Sequence, residues 1–134
     1  MAGFSDTPNK AKEDHKDESN KIRFCATEMQ GWRGNMEDSH IAELDLGDGN
    51  SLFGVFDGHG GPEVAKFVKF HFTKNLVSNA AYKRKDYKKG LEDTFMKMDR
   101  LLLSDKGKKE LRTYMEDENG DQAGYADYLR SAES

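Results

Sequence analysis

The chain of 134 residues has one cysteine, Cys25, which rules out an intramolecular disulfide and fits a reducing compartment. Cys25 lies in a β-branched and aromatic run, so a packing role is expected for it. No apolar run approaches the roughly 18 residues of a membrane-spanning helix, and no apolar h-region of a signal peptide opens the sequence. Ala2 excludes N-myristoylation at that site. The net charge of −4, with lysine and arginine mixed among the acids, offers no field for a polyanion, and no nucleic-acid partner is expected. Several chemistries are missing too. There is no G-x-S-x-G for an esterase nucleophile, no P-loop, no G-x-G-x-x-G, and no thiolate or histidine cluster for zinc. These absences leave a cytoplasmic or nuclear protein as the expectation.

What is present is unevenly spread. Apolar residues crowd between Ile22 and Leu111, and both ends are polar. Residues 1–20 have too few large apolar side chains to offset the entropy of ordering, which predicts a disordered arm in which His15 is solvated. From Ile22 the two-residue alternation of Phe24 and Ala26 with Arg23, Cys25 and Thr27 predicts a strand. A loop over 31–38 follows. His40 to Leu46 reads as a second strand, turned by Gly47-Asp48-Gly49-Asn50 into the returning strand LFGVF, which is expected to be buried and central.

Pro62 and Glu63 suit a helix start, after which Val64, Phe67, Val68, Phe72 and Leu76 recur at helical spacing, with His71 as a boundary residue rather than a ligand. A second helix is predicted near Tyr87 to Leu103, with Leu91, Phe95, Met98 and Leu102 inward, Met96 also packing, and Gly107 as the stop. The basic stretch 82–89 reads as a solvated helix entrance. Residues 111–134 read as a polar insertion or fragment end. A calcium loop centred on Gly120 fails there, because Met115 and Ala126 would occupy carboxylate positions.

Two polar stretches need a chemical reason. One is Gly31-Trp32-Arg33-Gly34-Asn35-Met36-Glu37-Asp38, and the other is Asp57-Gly58-His59-Gly60-Gly61 at the end of the apolar strand. A hairpin between them returns the chain to its start and should bring Glu37 and Asp38 close to Asp57. Carboxylates gathered in that way call for a cation, and oxygen ligands suit magnesium or manganese. Arg33 beside them could receive an anionic substrate by two parallel hydrogen bonds, and together these groups suggest phosphate chemistry.

GWRGNMEDSH followed by LFGVFDGHGG resembles the metal-dependent, type 2C (PPM) serine/threonine protein phosphatases, over roughly residues 20–110. The resemblance implies an α+β fold, the N-terminal part of a four-layered α/β/β/α sandwich of antiparallel sheets flanked by helices, incomplete in this chain. It also implies two Mg2+ or Mn2+ ions per complete site and hydrolysis of phosphoserine or phosphothreonine in phosphoprotein substrates by a metal-activated water. Carried across residue by residue, Asp57 bridges the ions, the Gly58 carbonyl binds one, and Glu37 and Asp38 hold metal-associated waters, with direct binding as the alternative for Glu37. Arg33 matches the phosphate-binding arginine and His59 the proposed general acid. The full-length enzyme is expected to be monomeric.

The departures are equally specific. The family's later D-G-x-W-D and D-N metal-ligand patterns do not occur here, nor does the G-x-T-A strand. The chain is therefore expected to be an N-terminal fragment, its catalytic-domain part over 21–110, that alone binds metal weakly and turns over little. The alternatives are a truncated noncatalytic binding module and one half of a split phosphatase.

Overall fold

A computed structural model describes residues 3–117. Four strands come first, β1 (Phe4–Glu18), β2 (Arg23–Arg33), β3 (Ser39–Glu43) and β4 (Leu52–Phe56). Four helices follow, α1 (Glu63–Ser78), α2 (Ala80–Lys83), α3 (Tyr87–Leu103) and α4 (Asp105–Asp117). The fold is α+β, with β1–β2 and β3–β4 as separate antiparallel sheets. The chain divides into one unit up to Ala65 and a second from Lys66.

The N-terminal segment departs from the sequence expectation. Residues 4–18 are not a disordered arm but a strand, in unbroken antiparallel register from Lys12 opposite Met29 to Glu18 opposite Arg23. Hydrophobic burial does not hold it, since every residue of β1 except the half-buried Pro8 is exposed. Backbone pairing and cross-strand side chains do so instead. Thr27 Oγ1 donates to Asp14 Oδ1 at 2.9 Å, Arg23 Nε to Glu18 Oε2 at 2.7 Å, and the His15 ring meets Phe24 edge-on at 5.0 Å. At the turn, Ser19 N–H donates to Ile22 O at 2.8 Å, and the Ser19 hydroxyl accepts from Ile22 N–H at 3.1 Å.

Facing side chains of the two sheets meet. Phe24 of β2 packs edge-on to Phe53 of β4 at 5.5 Å, and His40 of β3 lies 3.6 Å from Glu28 of β2. The cover is partial, so β4 is not the buried strand its composition predicts. Phe53 is 47% and Val55 73% exposed, whereas Ile41 on the other face is buried. Cys25 is exposed rather than packed, because the alternation of β2 sends Phe24 and Ala26 to the covered face and Cys25 away from it.

On α1, Phe67, Phe72 and Leu76 are buried as their spacing predicts, and Val64 is exposed. Phe72 meets Phe95 edge-on at 5.0 Å. On α3 the buried residues are Gly90, Thr94 and Met98, so the inward face is rotated from the predicted one and Leu91, Phe95 and Met96 are exposed. Tight contact explains the rotation. A Cβ on Gly90 would lie 3.0 Å from Tyr82 Cβ, and the small residue lets α3 approach α2. His71 is a boundary residue, its Nε2 2.7 Å from Glu110 Oε1 of α4.

Gly107 does not end a helix. Ser104 separates α3 from α4, its hydroxyl donating to Leu101 O at 2.6 Å and accepting from Gly107 N–H at 3.0 Å. Gly107 lies inside α4, where a Cβ would collide with the Leu101 carbonyl oxygen. Gly107→Ala is therefore expected to destabilise the chain by about 1–3 kcal/mol despite alanine's better helix propensity, because the atom it strikes is backbone. Chemical denaturation of the two proteins measures this. Residues 118–134, and with them most of the rejected calcium loop and of the predicted polar insertion, lie outside the described residues.

Candidate metal centre

Register places the acidic pair. The last rung of the β3–β4 ladder sets Ser39 opposite Phe56, so the next residues outward, Asp38 and Asp57, leave the open end of the hairpin side by side. One further rung follows, in which Gly58 N–H donates to Glu37 O at 3.1 Å. The charge of Asp57 lies close enough to the Asp38 carboxyl to raise its pKa. Chain order, turn length and strand pairing thus bring together residues nineteen positions apart in sequence.

Gly58 is required at this junction. A Cβ there would strike the Glu37 carbonyl and lie 2.7 Å from Gly61 O, so the strand end can lie against the acidic loop only without a side chain. The chain then turns through Gly60 and Gly61, both at positive φ (77° and 145°), which carries it into α1.

All six residues singled out from the sequence, Arg33, Glu37, Asp38, Asp57, Gly58 and His59, line one cavity of about 380 Å³, with Met29, Gln30, Asn35 and Met36. The strand β2 runs further than predicted and delivers Arg33 at its end. Arg33 is fixed from both sides, since Gln30 Nε2 donates to its carbonyl at 2.9 Å and its guanidinium lies 5.7 Å from the centre of the Phe4 ring. Phe4 belongs to β1, so the strand missed by sequence reasoning supports a site residue.

The three carboxylates do not converge as equals. Among the described residues, no three His, Cys, Asp or Glu side chains form a ready metal cage. Asp38 and Asp57 lie side by side, and Glu37 meets the junction through its backbone carbonyl. The donor set still fits a hard divalent cation. It consists of oxygens alone, it includes two adjacent carboxyls, and it includes a buried Asn35 Oδ1 with no hydrogen-bond partner.

Partial desolvation, then the charge and hydrogen bond of Asp57, push the Asp38 pKa above its ordinary 3.8, against a smaller opposing effect of Arg33. The folded chain therefore holds this proton more tightly than the unfolded one. The stabilising contribution is present below 3.8 and is lost as pH rises through the raised value. Asp38→Asn should remove that loss. The metal-free variant is expected to melt higher than the parent at neutral pH, with a flatter dependence on pH above 3.8; thermal unfolding in a chelator measures both.

The sequence signals for Asn35, Gln30 and Phe4 were weak. A polar residue in a loop and an aromatic in a polar arm carry no periodic pattern, and only the fold gives them neighbours.

Comparison with known proteins places this geometry in context. The family model described as "Protein phosphatase 2C" matches residues 22–123. The chain is similar to "Probable protein phosphatase 2C 4" of Paramecium tetraurelia, 49% identical over 111 residues, which cover 83% of this chain and 37% of the relative. "Protein phosphatase 2C 1" of the same organism is 45% identical over 114 residues, or 85% of this chain and 38% of the relative. "Probable protein phosphatase 2C 21" of Arabidopsis thaliana is 42% identical over 111 residues, covering 83% and 31%. The chain thus spans between about three tenths and four tenths of the length of these relatives. With the match extending over most of its residues, the chain belongs to the protein phosphatase 2C family.

Proposed function

We propose that the protein carrying this chain is a divalent-metal-dependent phosphatase acting on phosphoserine and phosphothreonine in proteins, and that the cavity at the open end of the β3–β4 hairpin is its half of the metal site. The observation that carries the reading is the pair Asp38 and Asp57, set side by side at the hairpin end, in the same cavity as Arg33 and His59. An acidic pair in a cavity with a guanidinium at its wall suits a phosphate ester approaching a cation.

Asp57, Asp38 and the Gly58 carbonyl would hold Mg2+ or Mn2+, two ions per complete site, with Glu37 steadying the associated water. When bound, such ions supply the Lewis acidity that activates water and draws charge off the phosphoryl oxygens. Arg33 forks onto two phosphoryl oxygens and orients the ester. His59 then donates a proton to the departing serine or threonine oxygen, so that no alkoxide is released. Substrates are phosphoproteins, the working enzyme is a monomer, and it acts in the cytoplasm or nucleus.

The donor set of this chain alone is sparse, which supports weak metal binding and little turnover without the remaining length found in its relatives. The test uses a polypeptide that contains this chain and that remaining length. Manganese-dependent phosphate release from a phosphothreonine peptide is expected, together with its loss in Arg33→Ala. Equal hydrolysis with and without a chelator would reject the reading.

A further inference from the structure

Asn35 Oδ1 is the one side-chain polar atom among the described residues that is buried and has no hydrogen-bond partner. It lines the acidic cavity, two residues after Arg33 and three before Asp38. A buried carbonyl oxygen without a donor is costly, and native proteins keep few of them unless something else supplies the donor.

The neighbours narrow down what that donor can be. Asp57, Asp38 and Glu37 are acceptors when ionised. The Arg33 guanidinium lies over Phe4 instead. His59 and Gln30 also line the cavity, and neither bonds to Asn35 Oδ1, which leaves a donor from outside the protein. A phosphate ester dianion brings only acceptors. A hydrated divalent cation brings water O–H groups, and a small hard ion keeps several of its waters when few protein ligands are available.

We propose that Asn35 is a positioning residue that anchors the hydrated divalent cation by accepting a hydrogen bond from one of its waters. This rests on the reading of the cavity as a cation site. No covalent step involves the amide; it holds a water in place.

The experiment measures Mn2+ binding to the purified chain by electron paramagnetic resonance of the free ion, and melting of the same proteins in a chelator. Asn35→Ala is expected to weaken Mn2+ binding by about tenfold, the scale of lost outer-shell contacts. It should leave the metal-free melting temperature unchanged or raised, because a costly buried acceptor has gone. Asn35→Asp keeps an acceptor and should restore binding. If Asn35→Ala binds Mn2+ like the parent while Asp57→Asn does not, the role of Asn35 is overturned and the cation site stands. A clear fall in the metal-free melting temperature of Asn35→Ala would also overturn it, by making the residue structural. Should Asp57→Asn bind like the parent, the cation site itself fails.

Discussion

Asp57→Asn is expected to lower manganese-dependent phosphatase activity of the longer polypeptide by more than about a hundredfold, exceeding the range seen for loss of outer-shell contacts because it removes the proposed direct ligand. The substitution preserves shape and removes one charge from a pair. What distinguishes this loss from simple damage is its effect on stability. Asp57 raises the pKa of Asp38 by repulsion and by a hydrogen bond, so the metal-free chain carries an electrostatic cost at neutral pH. Removing that charge should leave the melting temperature in a chelator unchanged or higher while activity falls. The two effects run in opposite directions, as expected where a site is preorganised for a ligand at the expense of the fold. Parallel losses of activity and stability would mean that Asp57 supports the hairpin and does not bind metal.

Gly58→Ala is expected to impair both. Its methyl group would strike the Glu37 carbonyl and lie 2.7 Å from Gly61 O, and both atoms belong to backbone that cannot move as a side chain would. Relief requires the strand end and the acidic loop to separate, which breaks the 3.1 Å bond from Gly58 N–H to Glu37 O. The cost is about 1–3 kcal/mol, in the range for overpacking. Because that bond sets Asp38 beside Asp57, Mn2+ affinity should fall together with the denaturation midpoint. This coupling contrasts with Asp57→Asn, where the two part company. Unchanged stability in Gly58→Ala would show that the junction is looser than its backbone contacts imply.

The parts of the fold legible in the sequence were those written in a period or in turn chemistry. The β3–β4 hairpin follows from its apolar alternation and the Gly47 to Asn50 turn, and α3 has the predicted ends Tyr87 and Leu103. Reading the hairpin was enough to anticipate that Asp38 and Asp57 would meet, because antiparallel register is a geometric constraint. What escaped was held by other forces. The strand β1 is stabilised by backbone pairing between exposed polar residues, and no hydrophobic pattern marks it. The inward face of α3 is set by the contact of Gly90 with Tyr82, and the role of Gly107 by the Leu101 carbonyl; neither contact has a local signature. Glycine has two uses, as a stop and as a close approach, and sequence spacing does not separate them. At the site, the residue types were legible and their inequality was not. Glu37 reads as a third carboxylate, yet the structure engages its main chain at the junction.

Divalent cations are proposed to bind in the cavity between the residue 34–38 loop and the Asp57-Gly58 strand end. Titrating the isotopically labelled chain with Mn2+ and following paramagnetic broadening of its amide resonances tests this most directly. The amides of Asn35, Glu37, Asp38 and Gly58 should broaden first, at substoichiometric ion, and Asp57→Asn should abolish the effect. Broadening that begins instead at the exposed acidic turn of Asp45 and Asp48, or that spreads evenly through the helices, would contradict it.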